Sequence, residues 1–441
     1  MPSQEISRLL GDKPLLSPLR IGSMEVAGRV FKSATSETRA TEDGFVTDEL
    51  LAFYEPMARA GTPMIITGNL CVSKQGHSAG RQAAIDHSDK LPGLRHWTET
   101  VHAHGVKLIA QLNHGGRQTV RPNAQHNPVV SASDVFEPTL GTKPRALRRD
   151  ELPGIVESFA AAAERARDAG FDGVQLHAAH GYLFSQFLTP HTNRRNDEYG
   201  GSLENRMRLL LETLRAVRKR VGDDFPILAK LNGTDSLPMR RAATDDELLR
   251  VALALQDEGL DALEISRCHY ESLPPMLSGT FRGFTRTQIL DGSGRGFSPT
   301  RKRLGLLLAP VIDGVSQLVA PKGEGYNLPQ AERIRAAVRI PVITVGGFHS
   351  RQAMESAVLG GRTDAVSCAR AMIADPYLFQ HLYAPDLRAP NCEFCNKCIG
   401  RLGAHPVDCY DAVVGKKRRD MLACLAPIGA KTNAVVAPKS A

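Results

Sequence analysis

Eight short runs rich in β-branched and apolar residues recur along the 441 residues, with stretches of helical length between them. They are VFKSA (30–34), PMIITG (63–68), VKLIAQL (106–112), DGVQLH (172–177), PILAKL (226–231), DALEIS (261–266), PVITVG (341–346) and DAVSCA (364–369). Strands alternating with helices in this way form a parallel sheet joined by crossover helices. The intervening stretches carry their own punctuation: TDELLAFYEPMARAG and VESFAAAAERARDAG end in the glycine that closes a helix, and SLENRMRLLLETLRAVRKRVG starts at a capping Ser202. Eight such units close a barrel, so the expected fold is α/β, a (β/α)8 TIM barrel spanning residues 1–388.

Three segments depart from the repeat. Ahead of the first strand, PLRIGSMEVAGR alternates around a Gly-Ser turn and reads as an N-terminal hairpin capping the barrel bottom. After strand six, residues 267–328 are too long for a plain loop; such an insertion shapes substrate access or forms a surface excursion. Residues 389–441 form a cysteine-containing extension, whose APKSA end is expected to fray.

Hydrophobic residues at 42% and charged residues at 23% suit a soluble enzyme with a large core. The start, MPSQEISRLLGDKPLL, has no signal or transit character, and no apolar run approaches the length of a membrane span; a cytoplasmic protein without a membrane partner is expected. Eight cysteines, four in one short stretch, suit thiols or metal ligands better than disulfides. The formal charge of +8 gathers in short clusters at 145–149 and 416–419, read as solvated surface, or else as attraction for a phosphorylated partner such as NADPH or an acyl-CoA. Nothing resembles a nucleic-acid-binding motif.

In a barrel, chemistry gathers at the C-terminal ends of strands, and VQLHAAHGYL runs directly from a strand into polar residues. His177 closes the strand and His180 follows where the first helical turn would begin, a spacing that sets both imidazoles on one side. Tyr182 cannot share that side in a regular helix, so an irregular loop is needed, which Gly181 permits. Two imidazoles can donate paired hydrogen bonds to one substrate oxygen, and a phenol can deliver a proton. The same residues could satisfy backbone carbonyls or hold zinc.

The longer string HAAHGYLFSQFLTPHTNRRNDEYGGSLENR resembles the strand-four segment of the old yellow enzyme family, the NADH:flavin oxidoreductases or FMN-dependent ene reductases. The resemblance extends from about Leu15 to Tyr383 and includes the barrel domain of 2,4-dienoyl-CoA reductase. It implies an FMN enzyme reduced by NAD(P)H that reduces the activated C=C bond of α,β-unsaturated carbonyl compounds. His177 and His180 would hold the substrate oxygen, and Tyr182 would supply the proton. It also implies that Gln111 pairs with the flavin pyrimidine edge and that Lys230 is the cation near flavin N1 and O2, the alternative being a barrel lysine paired with an acid. Ser33, Ala34, Thr35 and Ser36 would run beneath the ring, with Gly68 and Asn69 alongside. The phosphate would sit against Gly346, Gly347, Ala369 and Arg370, where family members more often have Gly-Arg than Ala-Arg.

Cys392, Cys395, Cys398 and Cys409 are spaced C-x2-C-x2-C-x10-C, compatible with iron-sulfur or zinc. The dienoyl-CoA reductase branch binds a 4Fe-4S cluster at the matching place, with one more residue between its second and third cysteines. On that offset no cluster is expected. The alternatives are a cluster-containing dienoyl-CoA reductase-like enzyme, a dehydrogenase or isomerase on the same barrel, a zinc hydrolase, and a flavin-binding protein without turnover. The expected partner is a small molecule, and a homo-oligomer is compatible with the sequence.

Overall fold

The computed structural model describes residues 13–120, 128–237, 239–384, 386 and 389–425. The hairpin strands β1 (Leu19–Ile21) and β2 (Met24–Val26) pair antiparallel around Gly22 and Ser23. There follow β3 (Val30–Lys32), β4 (Met64–Cys71), β5 (Lys107–Asn113), β6 (Val130–Ser131), β7 (Arg145–Ala146), β8 (Gly173–Ala178), β9 (Ile227–Asn232), β10 (Ala262–Ser266), β11 (Val342–Val345) and β12 (Ala365–Cys368). Strands β3, β4, β5, β8, β9, β10, β11 and β12 are parallel and close a barrel in that order, β12 pairing back onto β3. The short pair β6 and β7 lies outside it and had no counterpart in the sequence reading.

All eight expected runs are barrel strands. They are buried along nearly their whole length, which explains why they read as continuous apolar runs rather than as alternating ones. At the barrel bottom Leu19, Ile21, Met24 and Val26 of the hairpin pack on Phe31, Met64, Ile66, Ile109, Leu228, Ala262, Ile343 and Ala365. This apolar plug confines polar inward-facing residues to the opposite end. One irregularity shapes that end: the β4–β5 register shifts between Ile66 and Asn69, which brings Asn69 opposite Gln111.

The helices start where short polar side chains can satisfy their first amides. Thr47 accepts from Leu50 N, Ser202 from Asn205 N, and Thr244 forms a reciprocal box with Glu247. Both basic clusters are locally paired. Arg145, Arg148 and Arg149 reach Glu151, Asp150 and Glu198, while Lys416 and Arg418 reach Asp420 and Asp408.

The insertion is helical, with segments at Leu273–Met276, Phe284–Asp291 and Pro299–Val319. Residues 389–425 return across the top of the barrel: Val407 N donates to Glu37 O at 2.9 Å, Thr38 Oγ1 to His405 O at 2.8 Å, and Thr280 N to Phe394 O at 3.0 Å. The APKSA end lies outside the described residues. Among the described residues, no helix is long and apolar enough to cross a membrane.

Candidate active site

The polar end of the barrel is built from the last residues of its strands. His177 is the penultimate residue of β8, and the next helix begins only at Leu183. His180 is therefore not on a helical turn as the spacing suggested; it sits in the left-handed region at φ 62°, followed by Gly181 at φ 82°. The imidazoles meet nonetheless, His177 Nε2 lying 3.1 Å from His180 Nδ1 with the rings at 87°. The loop places Tyr182 against the same pair, its ring centroid 4.6 Å from that of His177. Glycine is required at 181 twice over. A Cβ there would lie 2.7 Å from Gln118 Nε2 and 3.0 Å from His269 Nδ1, and positive φ disfavours any side chain.

Neighbouring strands pin this loop. Asn232 Oδ1, at the end of β9, accepts from His180 N at 3.3 Å, and Tyr270 N donates to His180 O at 3.0 Å. Ser266 Oγ, at the end of β10, lies 2.6 Å from His180 Nε2 and so controls which nitrogen of that ring carries the proton.

Burial, then His180 and Lys230, holds His177 well below the ordinary histidine range. Burial, then Lys230, pushes His180 down to about 3. Both rings are neutral at physiological pH, each with one N–H. Burial and the adjacent Tyr270 push the Tyr182 phenol above its ordinary value, so it stays protonated.

Beneath them lies a closed polar network. Gln111 Nε2 donates to Gln175 Oε1 at 2.7 Å, and Gln175 Nε2 to Glu264 Oε2 at 2.8 Å. Ser33 and Ser367 hydroxyls both reach Glu264 Oε1 at 2.7 Å, and Lys230 Nζ lies 3.1 Å from Glu264 Oε2 and 2.9 Å from Ser33 Oγ. Burial opposes the Glu264 charge, but Lys230 and the three side-chain donors outweigh it and hold the carboxyl below its usual range. Lys230 is thus paired with an acid, the alternative that the sequence left open for it. The acid comes from β10, whose Glu264 is the register partner of Lys230.

An open-mouthed cavity of about 200 Å³ joins these groups. Ser33, Ala34, Thr35, Ser36, Asn69, Gln111, His177, His180, Tyr182, Lys230, Gly347, Ala369 and Arg370 all line it. Gly68 and Gly346 are not among the lining residues. The Gly68 amide is consumed by Glu37 Oε1 at 2.6 Å and Tyr54 Oη at 2.9 Å, and Gly346 O accepts from Gly325 N at 2.6 Å. Arg370 Nη1 donates to Ser278 O at 2.7 Å and to Asn396, with the guanidinium 4.7 Å over the Phe394 ring.

Three buried lining atoms, Asn69 Oδ1, His177 Nδ1 and Asn327 Oδ1, have no hydrogen-bond partner. Such atoms are costly unless a bound group satisfies them. A carboxamide, a lysine and unpaired polar atoms around one cavity fit a flavin, whose pyrimidine edge both donates and accepts.

Sequence reasoning missed several residues here. Ser266 and Glu264 carried a legible signal, being polar residues inside an otherwise apolar strand. Tyr270, Leu273, Met276 and Leu277 come from the insertion, and Phe394, Ile399, Leu402 and Val407 from the C-terminal extension, both reaching the cavity only through tertiary folding.

Cys392, Cys395, Cys398 and Cys409 line a second, small cavity that shares Arg370 and Phe394 with the first. All four are free thiols. Burial pushes Cys398 up to about 12 and Cys409 up to about 11. Among the described residues no three His, Cys, Asp or Glu side chains converge on a single metal position. Among the described residues the imidazole pair has no third protein ligand of the kind a catalytic zinc requires.

A sequence profile of the NADH:flavin oxidoreductase / NADH oxidase family matches residues 14–287 and 315–384. An NADH oxidase of Thermoanaerobacter brockii is 34% identical over 363 residues, 82% of this chain and 49% of the relative. A 4,4'-dithiodibutanoate disulfide reductase of Rhodococcus erythropolis is 31% identical over 387 residues, 87% of this chain and 92% of the relative. Among solved structures, an old yellow enzyme homologue from Zymomonas mobilis superposes with a TM-score of 0.67 at 25% identity, covering 86% of this chain and 94% of its own. The chain spans about half the length of the first two curated relatives it matches.

Proposed function

The chain belongs to the NADH:flavin oxidoreductase / NADH oxidase family, an oxidoreductase family working with FMN and NAD(P)H, and on that premise we propose that it reduces the activated C=C bond of α,β-unsaturated carbonyl compounds. The observation that carries this reading is the convergence of His177, His180 and Tyr182 above the Gln111–Gln175–Glu264–Lys230 floor. FMN, when bound, supplies a hydride to the β-carbon of the substrate. Gln111, Lys230, Ser33–Ser36 and Asn69 are the residues that would hold its ring, and Gly347, Ala369 and Arg370 its phosphate.

The protein's own part is to stabilise charge and deliver a proton. As negative charge develops on the substrate oxygen, the neutral His177 and His180 rings donate to it, each such donor being worth about a hundred- to a thousandfold in rate. Tyr182 protonates the α-carbon, a step worth roughly a hundredfold or more. Leu273, Met276, Leu277, Ile399, Leu402 and Val407 give the rest of the cavity an apolar wall, which favours substrates with a hydrocarbon body.

The test is anaerobic reduction with NADH and NADPH in turn, followed by cyclic enones, enoyl-CoA esters and nitroalkenes, monitored by flavin re-oxidation. Tyr182→Phe is expected to slow re-oxidation by enones about a hundredfold while leaving reduction by the nicotinamide unchanged. Wild-type rates in both half-reactions would remove Tyr182 from the proton-donor role.

A further inference from the structure

The helix Pro299–Val319 is turned inside out. Beyond its basic first turn, its polar side chains bond the protein: Asp313 accepts from Gly283 N at 2.8 Å and Thr285 N at 3.0 Å, Gln317 bonds Phe281 N at 3.0 Å and Gly279 O at 3.1 Å, and Ser316 is buried. Its apolar side chains face outward. Leu304, Leu307, Leu308, Val311, Ile312, Val315, Leu318 and Val319 are 41–82% exposed, and Asp313 is the only charged residue between 304 and 319. Together they present on the order of 800 Å², above the roughly 300–600 Å² of the largest apolar patch on a typical soluble monomer. The family profile matches up to residue 287 and again from residue 315, so most of this helix lies outside the matched segments.

We propose that this helix docks the protein onto an anionic lipid surface, lying in the headgroup plane with its leucine and valine face among the acyl chains. The charge around it fits that occupant. Residues 280–322 hold seven basic residues (Arg282, Arg286, Arg295, Arg301, Lys302, Arg303 and Lys322) and two acidic ones, a net +5 out of the chain's +8. Of the two acids, Asp291 lies 3.5 Å from Arg401 and Asp313 caps backbone amides. A basic rim around an apolar face is the composition of helices that lie on membranes.

A second copy fits less well. Antiparallel pairing of two such helices sets Lys322 of one against Lys302 and Arg303 of the other, and parallel pairing sets each basic end against itself. The short helix Leu273–Met276, whose residues line the cavity, packs against the docking helix, so the bound orientation would bring the cavity mouth towards the lipid. No apolar run in the sequence approaches a spanning length and no membrane partner was expected from it, but a helix lying on the surface needs no spanning length.

The test is co-sedimentation of the full chain with phosphatidylcholine vesicles, with and without phosphatidylglycerol, at low and high salt. The wild type is expected to pellet with the anionic vesicles, less so in salt. The combined Leu307→Ser, Val311→Ser and Leu318→Ser variant is expected to bind roughly tenfold or more weakly, because binding scales with buried apolar area. It should keep its flavin content and its activity on a soluble enone. Lys302→Glu with Arg303→Glu, which leaves the apolar face intact, is expected to lose the preference for anionic vesicles, and this keeps the test open if the triple variant does not fold. Wild type remaining in the supernatant with anionic vesicles at low salt would overturn the proposal. So would a wild-type dimer, measured by light scattering, that the triple variant converts to a monomer without any vesicle binding by the wild type, since the occupant would then be a second copy.

Discussion

Ser266 tests whether the two imidazoles act as a donor pair. With both rings neutral, His177 Nε2 and His180 Nδ1 can both donate to one oxygen only if His180 carries its proton on Nδ1, which requires its Nε2 to accept. Ser266 Oγ, 2.6 Å from that Nε2, can enforce this by donating its hydroxyl proton. A neutral hydrogen bond contributes a net of about 0.5–1.5 kcal/mol, which biases the tautomer by roughly 2- to 13-fold. Ser266→Ala should therefore not cost the full hundred- to thousandfold value of a lost oxyanion donor. It should cost roughly 2- to 13-fold in the rate of flavin re-oxidation by an enone, through the fraction of His180 in the competent tautomer. Affinity for a phenolate that mimics the developing oxyanion should weaken by a similar factor. Stopped-flow absorbance separates the half-reactions, and flavin reduction by NAD(P)H should be untouched. If Ser266→Ala slows both half-reactions equally, or leaves phenolate affinity unchanged, the tautomer reasoning is wrong and Ser266 acts only in packing.

Other consequences can be checked in the same preparations. Gly181→Ala forces a Cβ to 2.7 Å from Gln118 Nε2 at φ 82°, and is expected to cost about 1–2 kcal/mol of stability by thermal or urea unfolding and to displace both His180 and Tyr182; an unchanged enone rate would contradict the loop's positioning role. His180, down to about 3, and His114, down to about 4, stay neutral in the folded protein but bind a proton in the unfolded chain below about pH 6.5, so stability should fall as pH drops from 6.5. Each would account for a loss on the order of 2 kcal/mol at pH 5, measured as a shift in the denaturant midpoint, while the enone rate should show no limb near 6.5. Iron and acid-labile sulfide in anaerobically purified protein are expected well below one cluster per chain. Four irons per chain would make Cys392, Cys395, Cys398 and Cys409 cluster ligands.

How far the sequence carried the structure depended on whether each feature was periodic, local or long-range. The barrel was readable because both faces of each strand are covered, which leaves eight unbroken apolar runs, and because Ser202 and the glycines after 60 and 169 mark helix ends locally. The His177–His180–Tyr182 loop was readable as a set, and Tyr182 with Gly181 already required it to be irregular, but the positive φ of His180 was not readable. A spacing of three suggests a helical face, whereas the contact is made by two consecutive residues at positive φ, a choice enforced by His269 and Gln118 from elsewhere in the chain. Lys230 shows the same limit more sharply. Its own strand, PILAKL, is apolar and offers no partner, and Glu264 becomes its partner only because parallel register sets β10 beside β9. The floor of the site is therefore set by strand register rather than by any motif. A lysine held by Glu264, with Ser33 and Ser367 on the same carboxylate, is a fixed dipole rather than a free cation. Glu264 must on this view counter part of the Lys230 charge that a bound, reduced flavin would feel, and Glu264→Gln would raise that flavin's potential while leaving the oxygen-binding pair of histidines in place.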